Sequence, residues 1–176
     1  MKRHCFTLME LLVVITIIII LIGLLLPVIQ SVRDQAKKTQ AKAQMNAIIT
    51  AIKTYESTYG ILPLPDSWAD GPSTSAAKYA DLMALLTDVA GPNTETNYMS
   101  GNARNISFLD VPTNYTTQSF LDPWGSRYLI YIDTTYSGVI SNVGPSNETL
   151  YGTAFIYSNA GQTGSISASK CVYSWK

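Results

Sequence analysis

Histidine and cysteine are nearly missing from this chain. Among 176 residues there is one histidine, His4, and two cysteines, Cys5 and Cys171. Beyond residue 5 no histidine remains, which excludes Ser-His-Asp and Cys-His nucleophile systems and any histidine-ligated zinc site. Cys171 alone cannot form a disulfide within residues 6–176, even in an oxidising compartment. Net charge is also absent: 12 Lys and Arg face 12 Asp and Glu. No dense basic patch with interleaved aromatics occurs, so no nucleic-acid footprint is expected. Asp81, Asp88, Asp110 and Asp133 show no paired spacing of the kind acid/base catalysis uses. The composition predicts no cofactor and no enzyme.

The most informative absence is of charge between Leu11 and Val32. These 22 residues carry none, and at about 1.5 Å per helical residue they extend roughly 33 Å, enough to cross a bilayer core. Glu10 stands immediately before the run. An unpaired carboxylate in lipid costs on the order of 3 kcal/mol, so Glu10 belongs at the headgroup level or opposite a cation. Residues 1–5 form a short leader whose charge is Lys2, Arg3 and His4. Cleavage between Cys5 and Phe6 would free an α-amine four residues from Glu10, on the same helix face. That amine suits Glu10 of its own chain or of a neighbouring copy. An ion pair near 4 Å is worth about 4 kcal/mol at an effective dielectric of 20. A secretory signal would place a small-residue cleavage site after the apolar run, and Leu24-Leu25-Leu26-Pro27-Val28-Ile29 offers none. A lipoprotein signal needs its cysteine after the run, whereas Cys5 precedes it. An ordinary signal anchor has no use for Glu10.

Phe6-Thr7-Leu8-Met9-Glu10-Leu11-Leu12-Val13-Val14-Ile15 resembles the prepilin signal of type IV pilins and of the pseudopilins of type II secretion. The resemblance implies that a membrane peptidase cuts before Phe6 and N-methylates it, and that Glu10 serves assembly together with Phe6. It places the family's helix-kinking proline on Pro27, one turn after Gly23, and Cys5 where the family usually has glycine. It also implies a cytoplasmic leader and a periplasmic body. Lys2 and Arg3 agree with that orientation, while Arg33, Lys37, Lys38 and Lys42 oppose it by the positive-inside rule. Two later stretches resemble the major pseudopilin. One is Leu121-Asp122-Pro123-Trp124-Gly125-Ser126-Arg127-Tyr128. The other is Tyr157-Ser158-Asn159-Ala160-Gly161-Gln162-Thr163-Gly164, followed by Val172-Tyr173-Ser174-Trp175. In that family acidic residues around the last loop bind calcium. Between Ser158 and Lys176 this chain has no Asp or Glu, and calcium wants six to eight oxygens, usually several of them carboxylates; no calcium site is expected there.

The helix is expected to continue past the membrane to Tyr59, about 80 Å in all. Met45, Ile48, Ile49, Ile52, Tyr55 and Tyr59 keep an i, i+3, i+4, i+7 rhythm, with Lys37, Lys38, Lys42 and Lys53 mainly off that stripe. Gly60 is a helix-terminating glycine, and Pro63 and Pro65 forbid continuation. A helix is expected over 76–90, capped by Ser73 or Ser75 and stopped by Gly91-Pro92-Asn93. Short strands are expected over 106–111, 127–133, 150–157 and 171–175, with turns at Asp122-Pro123-Trp124-Gly125, Gly138 and Gly144-Pro145-Ser146-Asn147. The charge is unevenly spread: residues 33–59 are basic and residues 60–176 mildly acidic. A basic collar suits anionic headgroups. Trp68, Trp124, Trp175 and the 11 tyrosines fit either a carbohydrate platform or core and turn aromatics, and the second is favoured. The sequons at Asn105, Asn114 and Asn147 are chance matches in a Ser/Thr/Asn-rich chain.

The expected fold is α+β and pilin-like. It comprises a leader (1–5), a transmembrane and assembly half-helix (6–32), an amphipathic half-helix (33–59) and an α/β body (60–176) packing a small antiparallel sheet on the helix. The expected function is that of a structural subunit of a helical filament, the pseudopilus of type II secretion. A type IV pilus subunit is the alternative, and a monomeric membrane-anchored binding protein the competing class. The partners implied are copies of itself, related minor pilins, a prepilin peptidase, and an inner-membrane assembly platform with its ATPase.

Overall fold

The computed structural model describes residues 7–64, 76–87, 101–111 and 120–176. Helix α1 runs over Leu8–Tyr59, 52 residues. Two compact units divide the chain, residues 1–37 and 38–176, each with its own character.

In the first unit every described side chain is exposed. Backbone pairing is largely internal to the helix, Pro27 lacking the N–H that would meet the Gly23 carbonyl, and among the described residues nothing covers the side chains. Leu8 to Val32 is apolar around the full circumference rather than along one stripe, as befits a segment immersed in lipid or among other helices. The helix passes Gly23 and Pro27 without a break. A Cβ added at Gly23 would meet nothing within 4 Å.

In the second unit the same helix is amphipathic. Ala41, Met45, Ile48, Ala51, Ile52 and Tyr55 are buried, while Lys38, Lys42 and Lys53 face solvent. The stripe expected from the sequence is therefore the docking face, widened by two alanines. Gly60 ends the helix at φ +74°, its N–H bonding to the Glu56 carbonyl at 2.7 Å. Such a left-handed conformation costs glycine little.

Helix α2 spans Ala76–Thr87. Tyr79, Leu82, Met83, Leu85 and Leu86 are buried as expected; Ser73, Ser75, Val89 and the Gly91-Pro92-Asn93 stop lie outside the described residues. The strand expected over 106–111 does not form. That segment instead crosses the end of α2, where the N–H groups of Phe108 and Leu109 both bond the Leu86 carbonyl at 2.8 Å. The Asn102 carboxamide fastens it further, donating to the Leu85 and Ile106 carbonyls and accepting from the Ile106 N–H and the Tyr59 hydroxyl. The carbonyls at the end of the helix take the donors that a strand would have offered to a neighbour.

The body has two antiparallel sheets rather than one. Strands β1 (Leu129–Ile132), β4 (Ala154–Ser158) and β5 (Val172–Tyr173) form the order β1-β4-β5, while β2 (Val139–Val143) pairs with β3 (Glu148–Tyr151). The single strand expected over 150–157 is thus two strands in different sheets. Gly152, at φ +153°, is the break: its N–H bonds the Gly138 carbonyl, and a Cβ there would meet the Phe155 ring at 3.0 Å. Registers Ile130↔Ile156 and Tyr131↔Phe155 alternate the faces of the larger sheet. Ile130, Ile132, Ile156 and Val172 join the core with α1 and α2. Tyr131, Tyr157 and Tyr173 point the other way, under Ile140 and Val143 of the hairpin. Trp175 seats on that second cluster, 3.6 Å from where a Cβ on Gly144 would lie, and its Nε1–H bonds Glu148 at 3.2 Å.

The α1 face can be tested by truncation. Ile52→Ala, which removes a fully buried side chain, is expected to destabilise the body by about 2–5 kcal/mol. Lys53→Ala, one residue on, should stay within about 0.5 kcal/mol of wild type. Equal effects in denaturant unfolding would mean that the helix does not dock by this stripe.

Candidate functional site: the first turn of α1 and the loops of the body

The residues expected to carry assembly lie at the start of α1. Thr7 precedes the helix and caps it: the Glu10 N–H bonds the Thr7 carbonyl at 3.1 Å and its Oγ1 at 3.2 Å. Thr7-x-x-Glu10 has the spacing of a capping box, and Glu10 sits in the first turn, where the exposed N–H groups favour negative charge. The carboxylate is exposed. Helix α1 begins at Leu8, directly after this cap; whether Phe6 shares a face with Glu10 lies outside the described residues. Cys5, Phe6, Lys2 and Arg3 lie outside the described residues. Gly23 and Pro27 are both within α1.

Elsewhere the buried carboxylates Asp122 and Asp133 are already engaged by hydrogen-bond donors. Asp122, buried, accepts the N–H groups of Trp124 (3.0 Å) and Ser126 (2.7 Å) on one oxygen and the Ser158 hydroxyl on the other. This shapes the Asp122–Gly125 turn, closed by Gly125 at φ +84° with its N–H on the Asp122 carbonyl. Trp124 then packs against Gly161, where an added Cβ would come within 3.0 Å of the Trp124 Cβ. The two stretches that resemble the pseudopilin thus meet in space. Asp133, also buried, holds the 133–138 loop by accepting from Gly138 N–H (2.6 Å), Thr135 N–H (3.1 Å) and the Thr135 hydroxyl (3.0 Å). Glu148 pairs with Lys176. Asp110 is exposed and Asp81 lies within α2; Asp88 lies outside the described residues. Among the described acidic residues of the body, Asp81, Asp122 and Asp133 are buried.

The aromatics are core and turn groups where they are described. Tyr157 stacks between Tyr131 and Tyr173 with ring centroids 6.2 and 6.0 Å apart. Burial pushes the Tyr173 hydroxyl up to about 12 and raises that of Tyr157 further. The Tyr128 hydroxyl, likewise raised by burial with Asp122 nearby, donates to Gln44 at 2.5 Å. Tyr151 is the exception, 82% exposed on β3. Cys171 is half-buried, and burial raises its thiol above the ordinary range, the opposite of an activated nucleophile.

A calcium ion does not fit the last loop. From Ser158 onward there is no carboxylate, the nearby Asp122 oxygens are engaged by donors, and among the described residues no three His, Cys, Asp or Glu side chains converge. What sequence reasoning missed was the spatial pairing of Asp122 with Ser158 and the packing of Gly161 on Trp124. The Asp-Pro-x-Gly turn signal was visible, but its partner 36 residues away was not.

No protein-family model, curated protein or solved structure matches this chain.

Asp133 supplies a pH test. Burial alone would raise its carboxyl; hydrogen bonds from Gly138, Thr135 and Ser137 outweigh that and hold it below its ordinary 3.8. The stabilisation is therefore complete above pH 3.8 and is lost as pH falls through the lower folded value. The melting temperature of Asp133→Asn should be below that of wild type at pH 6, and the gap should narrow toward pH 2. A gap constant across that range would remove the carboxylate from the account.

Proposed function

We propose that this chain is a structural subunit of a membrane-anchored helical filament of the pilin class, and specifically a pseudopilin of type II secretion. One observation carries the reading: the first unit is helical and apolar on all sides, and it is uncovered. Its 19 large apolar side chains between Leu8 and Val32 are 39% to 88% exposed. Fully burying each is worth about 1.5–3 kcal/mol, so the segment is left with tens of kcal/mol of unsatisfied burial. Helix α1 is long and apolar enough to cross a membrane. Lipid covers it before assembly; the same segments of other copies cover it in the filament. Glu10, at the entrance, then needs a cation in place of water, and the amine of a processed Phe6 on an adjacent copy supplies it. Prepilin peptidase generates that amine, and an inner-membrane platform with its ATPase draws subunits from the bilayer. The body, with its separate core, lies outside the helical bundle, in the periplasm.

The pseudopilin is preferred to a pilus subunit because the Asp122–Gly125 turn and the 158–164 loop, the two stretches that resemble the major pseudopilin, pack as one unit. A monomeric binding protein accounts for the anchor and for Glu10 in the first helical turn, but calls for no cation opposite its carboxylate.

Intact mass of protein from native membranes tests the reading. The expected species lacks residues 1–5 and carries one methyl group on Phe6; an intact leader contradicts it. Glu10→Ala is expected to insert and fold normally but to enter filaments at least tenfold less well, the factor that about 1.4 kcal/mol commands. Wild-type incorporation would remove the ion pair from the argument.

A further inference from the structure

We infer that the side-chain amide of Gln162, and not a bound cation, closes the loop between β4 and β5. A metal ion orders a loop by drawing carbonyl oxygens from separate parts of the chain to one point. Here one carboxamide does so. Its Nε2–H₂ donates to the Asn159 carbonyl at 2.8 Å and to the Ser167 carbonyl at 3.3 Å, while its Oε1 accepts the Ser167 N–H at 2.8 Å. The Gln162 backbone N–H adds a bond to the same Asn159 carbonyl at 3.2 Å. Residues eight apart in sequence are thus clipped by a single side chain.

The oxygens that a cation would need are consumed by this arrangement. The Ser167 carbonyl also accepts the Lys170 N–H at 3.1 Å and the Cys171 thiol at 3.5 Å. Ser158 Oγ accepts the Ala160 N–H at 2.9 Å while donating to Asp122. The Ala168 carbonyl takes the Tyr173 hydroxyl at 2.8 Å and the Cys171 N–H at 3.3 Å. One buried acceptor is left without a partner, Asn159 Oδ1. It is a single neutral oxygen, far short of the coordination and charge that a divalent ion requires. Donor nitrogens are aimed at the carbonyls a cation would draw on, and the one carboxylate bonded to the loop, Asp122, is already engaged by Trp124, Ser126 and Ser158.

Gln162 is therefore the positioning residue of this loop, whose order is independent of divalent metal. The inference rests on the loop's own geometry and not on the filament reading: it fails on a calcium response, whereas that reading fails on the mass of the processed chain.

The full-length chain in detergent micelles provides the test, with trypsin cleavage after Lys170 as the readout, since Lys170 is exposed within the loop. Wild type should be cut at the same slow rate in chelator and in calcium from micromolar to millimolar, with an unchanged melting temperature. Gln162→Ala should be cut about tenfold faster in either condition, the factor expected for losing hydrogen bonds of this kind. Gln162→Glu keeps the size and the acceptor oxygen but loses both donors, so it reads the same contacts should the alanine variant fail to fold; it too should be cut faster in chelator. Protection of the wild-type loop by calcium, a calcium-induced rise of several degrees in its melting temperature, or wild-type cleavage rates in the glutamate variant would each overturn the inference.

Discussion

Hydrophobic burial without a partner among the described residues is the constraint on which everything else hangs. An α-helix pairs its backbone internally, so it can sit in water, lipid or protein at little backbone cost. Its side chains have no such freedom. Between Leu8 and Val32 helix α1 presents apolar groups in every direction, and burying each of them fully is worth about 1.5–3 kcal/mol. Among the described residues nothing supplies that burial. That requirement makes the apolar segment and the lone carboxylate at its start parts of one problem.

The second unit solves the opposite problem. There the helix becomes one layer of a folded body, with Met45, Ile48, Ile52 and Tyr55 against Ile130, Ile132 and Ile156. A second core of stacked tyrosines lies between the larger sheet and the β2–β3 hairpin. The chain's last residues fasten these layers: Trp175 bonds Glu148, and Lys42 of α1 donates to the Lys176 carbonyl at 2.8 Å. The loops are held by carboxylates and amides turned inward, Asp122, Asp133, Asn102 and Gln162. Each works by gathering N–H and O–H donors or by bridging separate carbonyls. These four polar side chains are used for construction.

The parts legible in the sequence were those governed by local rules. The long helix, its buried stripe and its stop at Gly60 follow from a 3.6-residue rhythm and one glycine. The turn at Asp122 and strands β1 and β5 follow from β-rich runs bounded by turn residues. Residues 106–111 were misread because composition says nothing about the Leu86 carbonyl waiting at the end of α2. The break at Gly152 was hidden within a run of β formers, and β2 within a stretch of small polar residues. At the candidate site the identity of Glu10 was legible at once, whereas the bonds of its N–H to Thr7 were not singled out. The Gln162 clip was not legible, since a glutamine in a loop carries no signal until its neighbours in space are known.

Disulfide cross-linking within native membranes and filaments tests most directly whether copies of this chain cover one another's apolar helices. With Cys171 replaced by serine, Ile19→Cys places one thiol at the middle of the exposed segment. Oxidation should produce covalently linked dimers in preparations competent for assembly, and few or none when the same protein is dispersed in excess detergent. A thiol that stays monomeric in both would show a helix surrounded by lipid alone, and the account of this chain as a filament subunit would be wrong.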